Sequence, residues 1–295
     1  MRIFILGAGA IGSLFGGYLA RENDVTLICR EGHANAVNEA GLNITGLSDM
    51  QVRPKAVTSA EGLEPPEILF LTVKAYDIEA ALGGIRKLLA PETTLVSLQN
   101  GLGNVEILER AFPDANLVAG ITSQGAILRS PGLVEHTGRS YTMVGRGNAA
   151  AVAELLTASG LETSVSEDIL AEIWYKAIVN AVINPLATLL KARNGIILER
   201  PELAGVIDSI ICEAVEVARV KGILLDEETA IRKAMLVAKE TANNACSMRL
   251  DVERGRRTEI MQMNGAIAAF GREFGISTPA NALITALIHS LEPKA

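Results

Sequence analysis

The stretch MRIFILGAGAIG, residues 1–12, joins a short apolar segment to a glycine-rich loop. Arg2 to Leu6 predicts a buried strand, and Gly7 to Gly12 matches the spacing G-x-G-x-x-G where a helix should begin. The glycines permit a tight turn and a close approach of the backbone to a ligand, and the N–H groups of a helix N-terminus attract a pyrophosphate. Because the loop follows the first strand of an alternating pattern, we interpret it as a dinucleotide site and not as a structural glycine turn.

The pattern after this loop alternates short apolar runs with segments of helical periodicity. Further strands are predicted at Asp24 to Cys29, Ile68 to Val73 and Thr94 to Leu98, and the helical segments between them indicate β-α-β units around a buried parallel sheet. Later in this half, GLVEHTG and SYTMVGR are predicted to be two strands that pair with each other, since turn residues separate them.

Strand signals end near residue 169, and the remaining segments carry apolar residues at helical spacing. We therefore predict an α/β protein with two domains: a Rossmann-type dinucleotide-binding domain over residues 1–167 and an all-helical domain over residues 168–295. A chain of 295 residues has the length at which two domains become the better expectation.

Composition narrows the class of protein. The net charge of −7 argues against nucleic-acid binding, which would need a basic face. Cys29, Cys212 and Cys246 have neither disulfide-framework nor zinc-site spacing, so a reducing, cytoplasmic location is expected. The first residues resemble a strand and not a signal peptide, and no apolar run is long enough to span a bilayer. No metal site is assigned, since His33, His136 and His289 are dispersed.

The ends of the predicted strands hold candidate cofactor contacts. Arg30 is the first residue after the second strand, where an arginine favours the 2′-phosphate of NADP, although Glu31 follows directly. Lys74 and Asn100 occupy the same expected sheet edge after two later strands. A solvated loop lysine is the alternative for Lys74, and an Asn-Gly turn is the alternative for Asn100.

The segment EIWYKAIVNAVINPL, residues 172–186, reads as a buried helix but carries three polar residues four positions apart. Lys176, Asn180 and Asn184 would share one helix face near the junction of the two domains. A buried ammonium and two buried amides are costly without partners, so we expect a ligand there, in an interdomain cleft. Pro185 lacks an N–H and should free the carbonyl of Ala181 and bend the helix.

Together, GAGAIG, Arg30, LQNGLG, EIWYKAIVNAVINPL and CSMRLDVERGRRTEI resemble the ketopantoate reductases, or 2-dehydropantoate 2-reductases, along the whole chain. The most specific part is W-x-K-x-x-x-N-x-x-x-N-P, which begins at Trp174, followed by Asn194-Gly195. The resemblance implies a Rossmann-type domain joined to a helical domain like the C-terminal domain of 6-phosphogluconate dehydrogenase. It also implies reduction of a small 2-oxo acid, 2-dehydropantoate, to (R)-pantoate with NADPH, on the route to pantothenate and coenzyme A.

The resemblance also implies roles for single residues. Lys176 matches the catalytic lysine. The substrate contacts it implies are Asn100, Lys176, Asn180, Asn184, Asn194, Asn244 and Ser247. The NADP contacts it implies are Gly7, Ala8, Gly9, Ala10, Ile11, Gly12, Arg30, Lys74, Asn100, Ala126 and Glu259. The chain departs from the family pattern in TSQGA, residues 122–126, and at Cys246.

The chemistry of 2-oxo acid reduction explains these residue types. Negative charge grows on the carbonyl oxygen as hydride arrives, and an ammonium such as Lys176 can stabilise and protonate that oxygen. Burial in a cleft would lower its pKa toward the working range. Amides can orient the substrate without adding a competing charge.

Other interpretations exist for two of the matched residues. Ser247 could cap a helix. Glu259 could pair with Arg256 or Arg257 on the surface, whereas the family match predicts that it faces the interdomain cleft.

Two other functions remain open from the sequence. One is a reductase of the same architecture that acts on another branched or aromatic 2-oxo acid. The other is a non-catalytic NADP-binding regulator, which would not need the polar helix face. Association into a homodimer is also left open.

Overall fold

The computed structural model, which describes residues 1–293, has two units along the chain. The first unit comprises Met1–Gln99 and Asn104–Ile169, and the second comprises Asn100–Gly103 and the chain from Leu170 onward. The first is an α/β unit and the second is helical, which confirms the predicted fold class. The domain boundary between residues 167 and 168 stays a prediction.

All the strands described belong to the first unit. They are β1 (Arg2–Leu6), β2 (Asp24–Ile28), β3 (Leu42–Gly46), β4 (Met50–Val52), β5 (Lys55–Val57), β6 (Ile68–Leu71), β7 (Thr94–Ser97), β8 (Asn116–Thr122), β9 (Gly125–Ser130), β10 (Leu133–Gly138), β11 (Thr142–Gly145) and β12 (Thr163–Val165). The helices of this unit are α1 (Ala10–Leu19), α2 (Glu31–Ala40), α3 (Ile78–Arg86), α4 (Asn104–Ala111) and α5 (Ala149–Ala158).

The larger sheet has the strand order β12-β11-β8-β7-β6-β1-β2-β5. Its pairs are parallel except for β8 with β11. The four strands predicted from apolar runs all belong to it, and β6 and β7 are buried throughout, as expected for strands covered on both faces. The strand order reverses at β1, whose neighbours are β2 and β6. Ligands of such sheets bind beside this reversal, at the carboxyl ends of the strands.

The smaller sheet corrects one strand-pairing prediction. Its order is β4-β3-β10-β9, so GLVEHTG lies in this sheet as β10, whereas SYTMVGR contributes β11 to the larger one. The two segments do not pair with each other. Instead β10 forms a hairpin with β9 across Pro131-Gly132, and β11 pairs with β8. Period-two patterning shows that a segment is a strand but does not identify its partner.

The second unit consists of helices packed around one apolar core. They are α6 (Ile169–Leu189), α7 (Ile196–Glu199), α8 (Ala204–Val220), α9 (Glu227–Glu240), α10 (Ser247–Glu253), α11 (Asn264–Phe274) and α12 (Pro279–His289). Apolar residues keep helical spacing from Val252 to Gly275, which predicts one helix, but the helix is interrupted because Gly255 adopts a left-handed φ of 61° just after α10. No helix within residues 1–293 combines the length and apolar character that crossing a bilayer requires.

Candidate active site

The glycine loop between β1 and α1 is held against the end of β6. Gly7 has a φ of 92°, and a Cβ atom there would lie 2.4 Å from the backbone nitrogen of Val73. A Cβ atom on Gly12 would lie 2.4 Å from Thr72 Oγ1 and 2.8 Å from Gly7 O. These two glycines are therefore required by the packing of the first unit itself.

Gly9 differs from the other two, because the protein leaves space beside it. A Cβ atom on Gly9 would have no neighbour nearer than Gly7 O at 3.8 Å, and the residue is exposed. Gly9 directly precedes α1, whose first-turn N–H groups have no acceptor within the helix. An open glycine at a helix N-terminus lets a pyrophosphate approach the backbone closely, so the residues present fit a dinucleotide.

Arg30 and Lys74 follow the two strands that flank β1. Arg30 is exposed and is the N-cap residue of α2, two positions after the end of β2 at Ile28. Lys74 is partly buried and precedes a 3₁₀ turn, Ala75–Asp77, after β6. Since β2 and β6 are both parallel to β1, both cations stand at the sheet edge that carries the glycine loop. Ala126 lies in β9 of the smaller sheet, opposite His136.

Lys176 in α6 is the centre of the polar group in the second unit. Its Nζ donates a hydrogen bond of 2.8 Å to Asn100 Oδ1, in the four-residue segment that belongs to this unit. Burial lowers the pKa of Lys176 from 10.5 to about 8, against the opposing effect of the negative charge of Glu259. Glu259 is only 5% exposed, so it is not the solvated surface residue of the alternative interpretation.

We call the polar face of α6, formed by Lys176, Asn180 and Asn184, the α6 stripe. Its two asparagines have different surroundings. Asn180 is partly buried. Asn184 is buried, with Nδ2 at 3.8 Å from Met263 Sδ. The backbone carbonyl of Asn184 accepts hydrogen bonds from the Thr188 hydroxyl and the Cys246 thiol. Of the two amides, Asn180 is the one more available to a small ligand.

Asn194 and Asn244 are held together by the backbone. The N–H of Asn194 donates to the carbonyl of Asn244 at 3.0 Å, and Asn194 Nδ2 donates to Thr241 Oγ1 at 2.9 Å. The Oδ1 atom of Asn194 is buried without a hydrogen-bond partner among the described residues. Ser247 is exposed and is the first residue of α10, whose N-cap is Cys246. The interpretation of Ser247 as a helix cap is therefore wrong, because a residue already inside the helix cannot cap it.

A residue that sequence reasoning missed supports the stripe helix. The carbonyl of Ala181, which cannot bond to Pro185, accepts a hydrogen bond of 3.0 Å from Asn264 Nδ2. Pro185 predicts the freed carbonyl, but no pattern in the sequence indicates that its donor comes from the start of α11. Helix α6 continues through Pro185 to Leu189 with this carbonyl satisfied.

Asn264 belongs to a buried polar chain. Its Nδ2 also donates to Asn281 Oδ1, and Asn281 Nδ2 donates to Glu213 Oε2 at 2.7 Å. The Glu213 carboxylate additionally accepts the backbone N–H groups of Ala280 and Asn281 at the start of α12. This series of hydrogen bonds links α8, α11 and α12 to the Ala181 carbonyl of α6.

The part of the polypeptide that the structure describes holds no group of His, Cys, Asp or Glu residues suited to a metal ion.

Comparison with protein families gives matches for both units. The family model described as ketopantoate reductase PanE/ApbA matches residues 3–149. The model described as ketopantoate reductase PanE/ApbA C terminal matches residues 168–292.

Individual relatives match nearly the full length of the chain. A 2-dehydropantoate 2-reductase of Pyrococcus horikoshii is 38% identical, and the match covers 99% of this chain and 98% of the relative. The crystal structure of a PanE/ApbA family ketopantoate reductase from Ralstonia eutropha has a TM-score of 0.91 at 29% identity, covering 99% of this chain and 98% of that one. A ternary structure of D-mandelate dehydrogenase with NADH and anilino(oxo)acetate has a TM-score of 0.92 at 31% identity, with the same two coverages.

Proposed function

The chain belongs to the ketopantoate reductase family, and on that premise we propose that it reduces 2-dehydropantoate to (R)-pantoate with NADPH. This reaction lies on the route to pantothenate and coenzyme A. The observation that carries the proposal is the Lys176 ammonium, held 2.8 Å from Asn100 Oδ1 with its pKa lowered to about 8. A non-catalytic NADP-binding protein would have no use for such a lysine.

The residues of the second unit provide the proton and orient the substrate. Bound NADPH supplies the hydride that converts the carbonyl carbon to an alcohol carbon. Lys176 donates a proton to the oxygen on which negative charge develops, and its charge stabilises that oxygen before transfer. Asn100 holds the ammonium in one position, which lowers the entropy cost of reaching the reactive geometry. The partly buried amide of Asn180 can bond to the polar groups of the substrate.

The individual contacts form part of the same proposal. We propose as cofactor contacts Gly7, Ala8, Gly9, Ala10, Ile11, Gly12, Arg30, Lys74, Asn100, Ala126 and Glu259. We propose as substrate contacts Asn100, Lys176, Asn180, Asn184, Asn194, Asn244 and Ser247. Arg30 supports the choice of NADPH over NADH, because a guanidinium at this edge can pair with a 2′-phosphate.

The location and assembly of the protein are proposed as well. We propose a cytoplasmic enzyme that does not bind nucleic acid, in line with its net charge of −7. A homodimer is supported by exposed leucines at four-residue spacing, Leu283, Leu287 and Leu291, which are 60%, 41% and 45% exposed. Light scattering during size-exclusion chromatography would give twice the chain mass for a dimer and the mass of one chain if the homodimer proposal is wrong.

The substrate is tested by following NADPH oxidation with a panel of 2-oxo acids. We expect 2-dehydropantoate to have the highest kcat/KM, above a branched aliphatic and an aromatic 2-oxo acid. A higher value for an aromatic acid would favour a reductase of the same architecture with another substrate. That alternative is not favoured by the curated relatives, which are named 2-dehydropantoate 2-reductases. No turnover of any member, with NADPH still bound, would favour a regulator.

A further inference from the structure

His33 lies in the first unit and is not used by the chemistry described above. It is 5% exposed, and both of its ring nitrogens are hydrogen bonded. The backbone N–H of Gly132 donates to Nδ1 at 3.0 Å, and Nε2 lies 3.0 Å from Ser13 Oγ. Ser13 in turn donates its hydroxyl proton to the carbonyl of Ala8 at 3.2 Å. We call these four groups the His33 relay.

The direction of every bond in the His33 relay is fixed by the one at Gly132. A backbone N–H can only donate, so Nδ1 must be the unprotonated acceptor and Nε2 must carry the proton. Nε2–H therefore donates to Ser13 Oγ, which leaves the Ser13 proton for the carbonyl of Ala8. Burial lowers the pKa of His33, which keeps the ring in this neutral form at pH 7.

The His33 relay joins two segments of the proposed cofactor site. Its last acceptor is the carbonyl of the Ala8–Gly9 peptide, whose N–H bonds to Gly7 O at 2.6 Å, so both ends of that peptide unit are held. His33 itself lies in the first turn of α2, where its backbone N–H donates to the carbonyl of Arg30 at 3.0 Å. His33 thus connects two segments: its imidazole reaches the glycine loop through Ser13, and its backbone N–H bonds to Arg30.

We propose that His33 is a positioning residue for cofactor binding, which acts through Ser13 to fix the Ala8–Gly9 peptide and so keep the glycine loop in the shape that lets a pyrophosphate approach the backbone at Gly9. The inference rests on the proposed function, since it takes NADPH as the ligand of the glycine loop. A preorganised loop binds more tightly because its ordering cost has been met during folding. NADPH and NADH share the pyrophosphate, so the His33 relay should affect both cofactors by the same factor.

The test is titration of the purified protein with NADPH and with NADH, followed by cofactor fluorescence. Ser13→Ala removes the donor to the Ala8 carbonyl and should raise both dissociation constants about 3- to 10-fold, the range for loss of one hydrogen bond. Arg30→Ala provides the contrast, because it should weaken NADPH and spare NADH. Ser209→Ala is the matched control, since Ser209 donates a comparable bond of 2.7 Å to a helix carbonyl, that of Gly205 in the second unit.

Two substitutions of His33 separate positioning from general stability. The Asn side chain can replace Nδ1 as acceptor for Gly132 but does not reach Ser13, whereas Gln can replace Nε2 as donor to Ser13. We expect His33→Asn to lose more cofactor affinity than His33→Gln. The melting temperature should show the opposite order, because Gln leaves the Gly132 N–H without its partner. A merely structural histidine would give affinity and melting temperature the same order, which would overturn the proposal.

A double-mutant cycle completes the test. If His33 acts through Ser13, the protein with both Ser13→Ala and His33→Asn should bind NADPH about as weakly as the Ser13→Ala protein alone. Additive losses, or unchanged dissociation constants in Ser13→Ala, would overturn the positioning role. Failure of the unaltered protein to bind NADPH at all would instead overturn the proposed function, so the two failures are distinguishable.

Discussion

Lys176 is a better proton donor than a lysine in water because its surroundings destabilise its charged form. Burial lowers its pKa to about 8, while Glu259 supplies the negative charge that limits the fall. The sequence predicted Lys176 and a lowered pKa from the polar stripe on an apolar helix. It did not predict the bond to Asn100, because the two residues are 76 positions apart and only the fold brings them together.

This pKa has a consequence for the pH dependence of the reaction. Reduction needs the protonated amine, so kcat/KM for 2-dehydropantoate should fall as the pH rises through about 8. Oxidation of pantoate needs the neutral amine as a base, so its kcat/KM should rise over the same range. Both directions should be measured between about pH 6 and pH 10. This range includes the lowered pKa of Lys176, about 8, and extends toward the ordinary lysine value near 10.4. A reduction rate that stays constant up to pH 10 would contradict the role of Lys176 as the acid.

Removal of the charge of Glu259 should shift the pH dependence of kcat/KM for the reduction. Glu259 raises the pKa of Lys176, so Glu259→Gln should lower it, and the fall in reduction activity should begin at a lower pH. The amide keeps the shape of the side chain and removes only its charge. Glu240→Gln, at an exposed position at the end of α9, is the matched control and should leave the profile unchanged. A profile of Glu259→Gln that moves to higher pH would show that the charge acts in another way.

Helix α6 shows which features of a helix can and cannot be predicted from the sequence. Pro185 cannot donate to Ala181, so a freed carbonyl was predictable from the residue type alone. The donor, Asn264, lies in another helix and is 0% exposed. Apolar periodicity finds helices but carries no information on which buried amide will meet which carbonyl. The predicted bend of α6 stays a prediction.

The contribution of the hydrogen bond between Asn264 and the Ala181 carbonyl to stability can be measured by a second double-mutant cycle. Asn264→Ala should lower the free energy of unfolding by about 1–3 kcal/mol, since it leaves a buried acceptor unsatisfied. Pro185→Ala returns an N–H to Ala181, so the loss caused by Asn264→Ala should be smaller in that background. Urea denaturation of the four proteins gives the coupling. Equal losses in both backgrounds would mean that the Ala181 carbonyl does not depend on Asn264.

For the strands and the later helices as well, the sequence predicts that an element exists better than it predicts the partner or the end of that element. The strands of the parallel core were predictable because they are short, apolar and flanked by turns, and β1, β2, β6 and β7 lie where expected. The pairing of β10 with β11 was wrong because both have acceptable patterns and the turn at Pro131-Gly132 closes a different hairpin. The break after α10 was missed because the apolar spacing continues across Gly255.

Each of the two units contributes its own set of residues to the proposed reaction. The first unit has the glycine loop, Arg30 and Lys74 at one edge of a parallel sheet. The second has Lys176, the proposed proton donor, and the amides beside it. The sequence predicted this division because parallel-strand patterning and helical patterning occupy different halves of the chain. The substrate could be named only through resemblance, since the shape of a pocket depends on scattered residues that carry no local pattern.

In the proposed NADPH-dependent reduction, Lys176 protonates the substrate oxygen. Steady-state kinetics of Lys176→Ala with 2-dehydropantoate, together with separate NADPH titration, gives the sharpest test of this role. Loss of a general acid should lower kcat by about 10²–10⁴-fold and leave NADPH affinity nearly unchanged. Lys239→Ala, at an exposed position of α9, should behave like the unaltered protein, and Asn180→Ala should act mainly on KM. Turnover of Lys176→Ala at close to the parental rate, or loss of NADPH binding in place of chemistry, would contradict the claim.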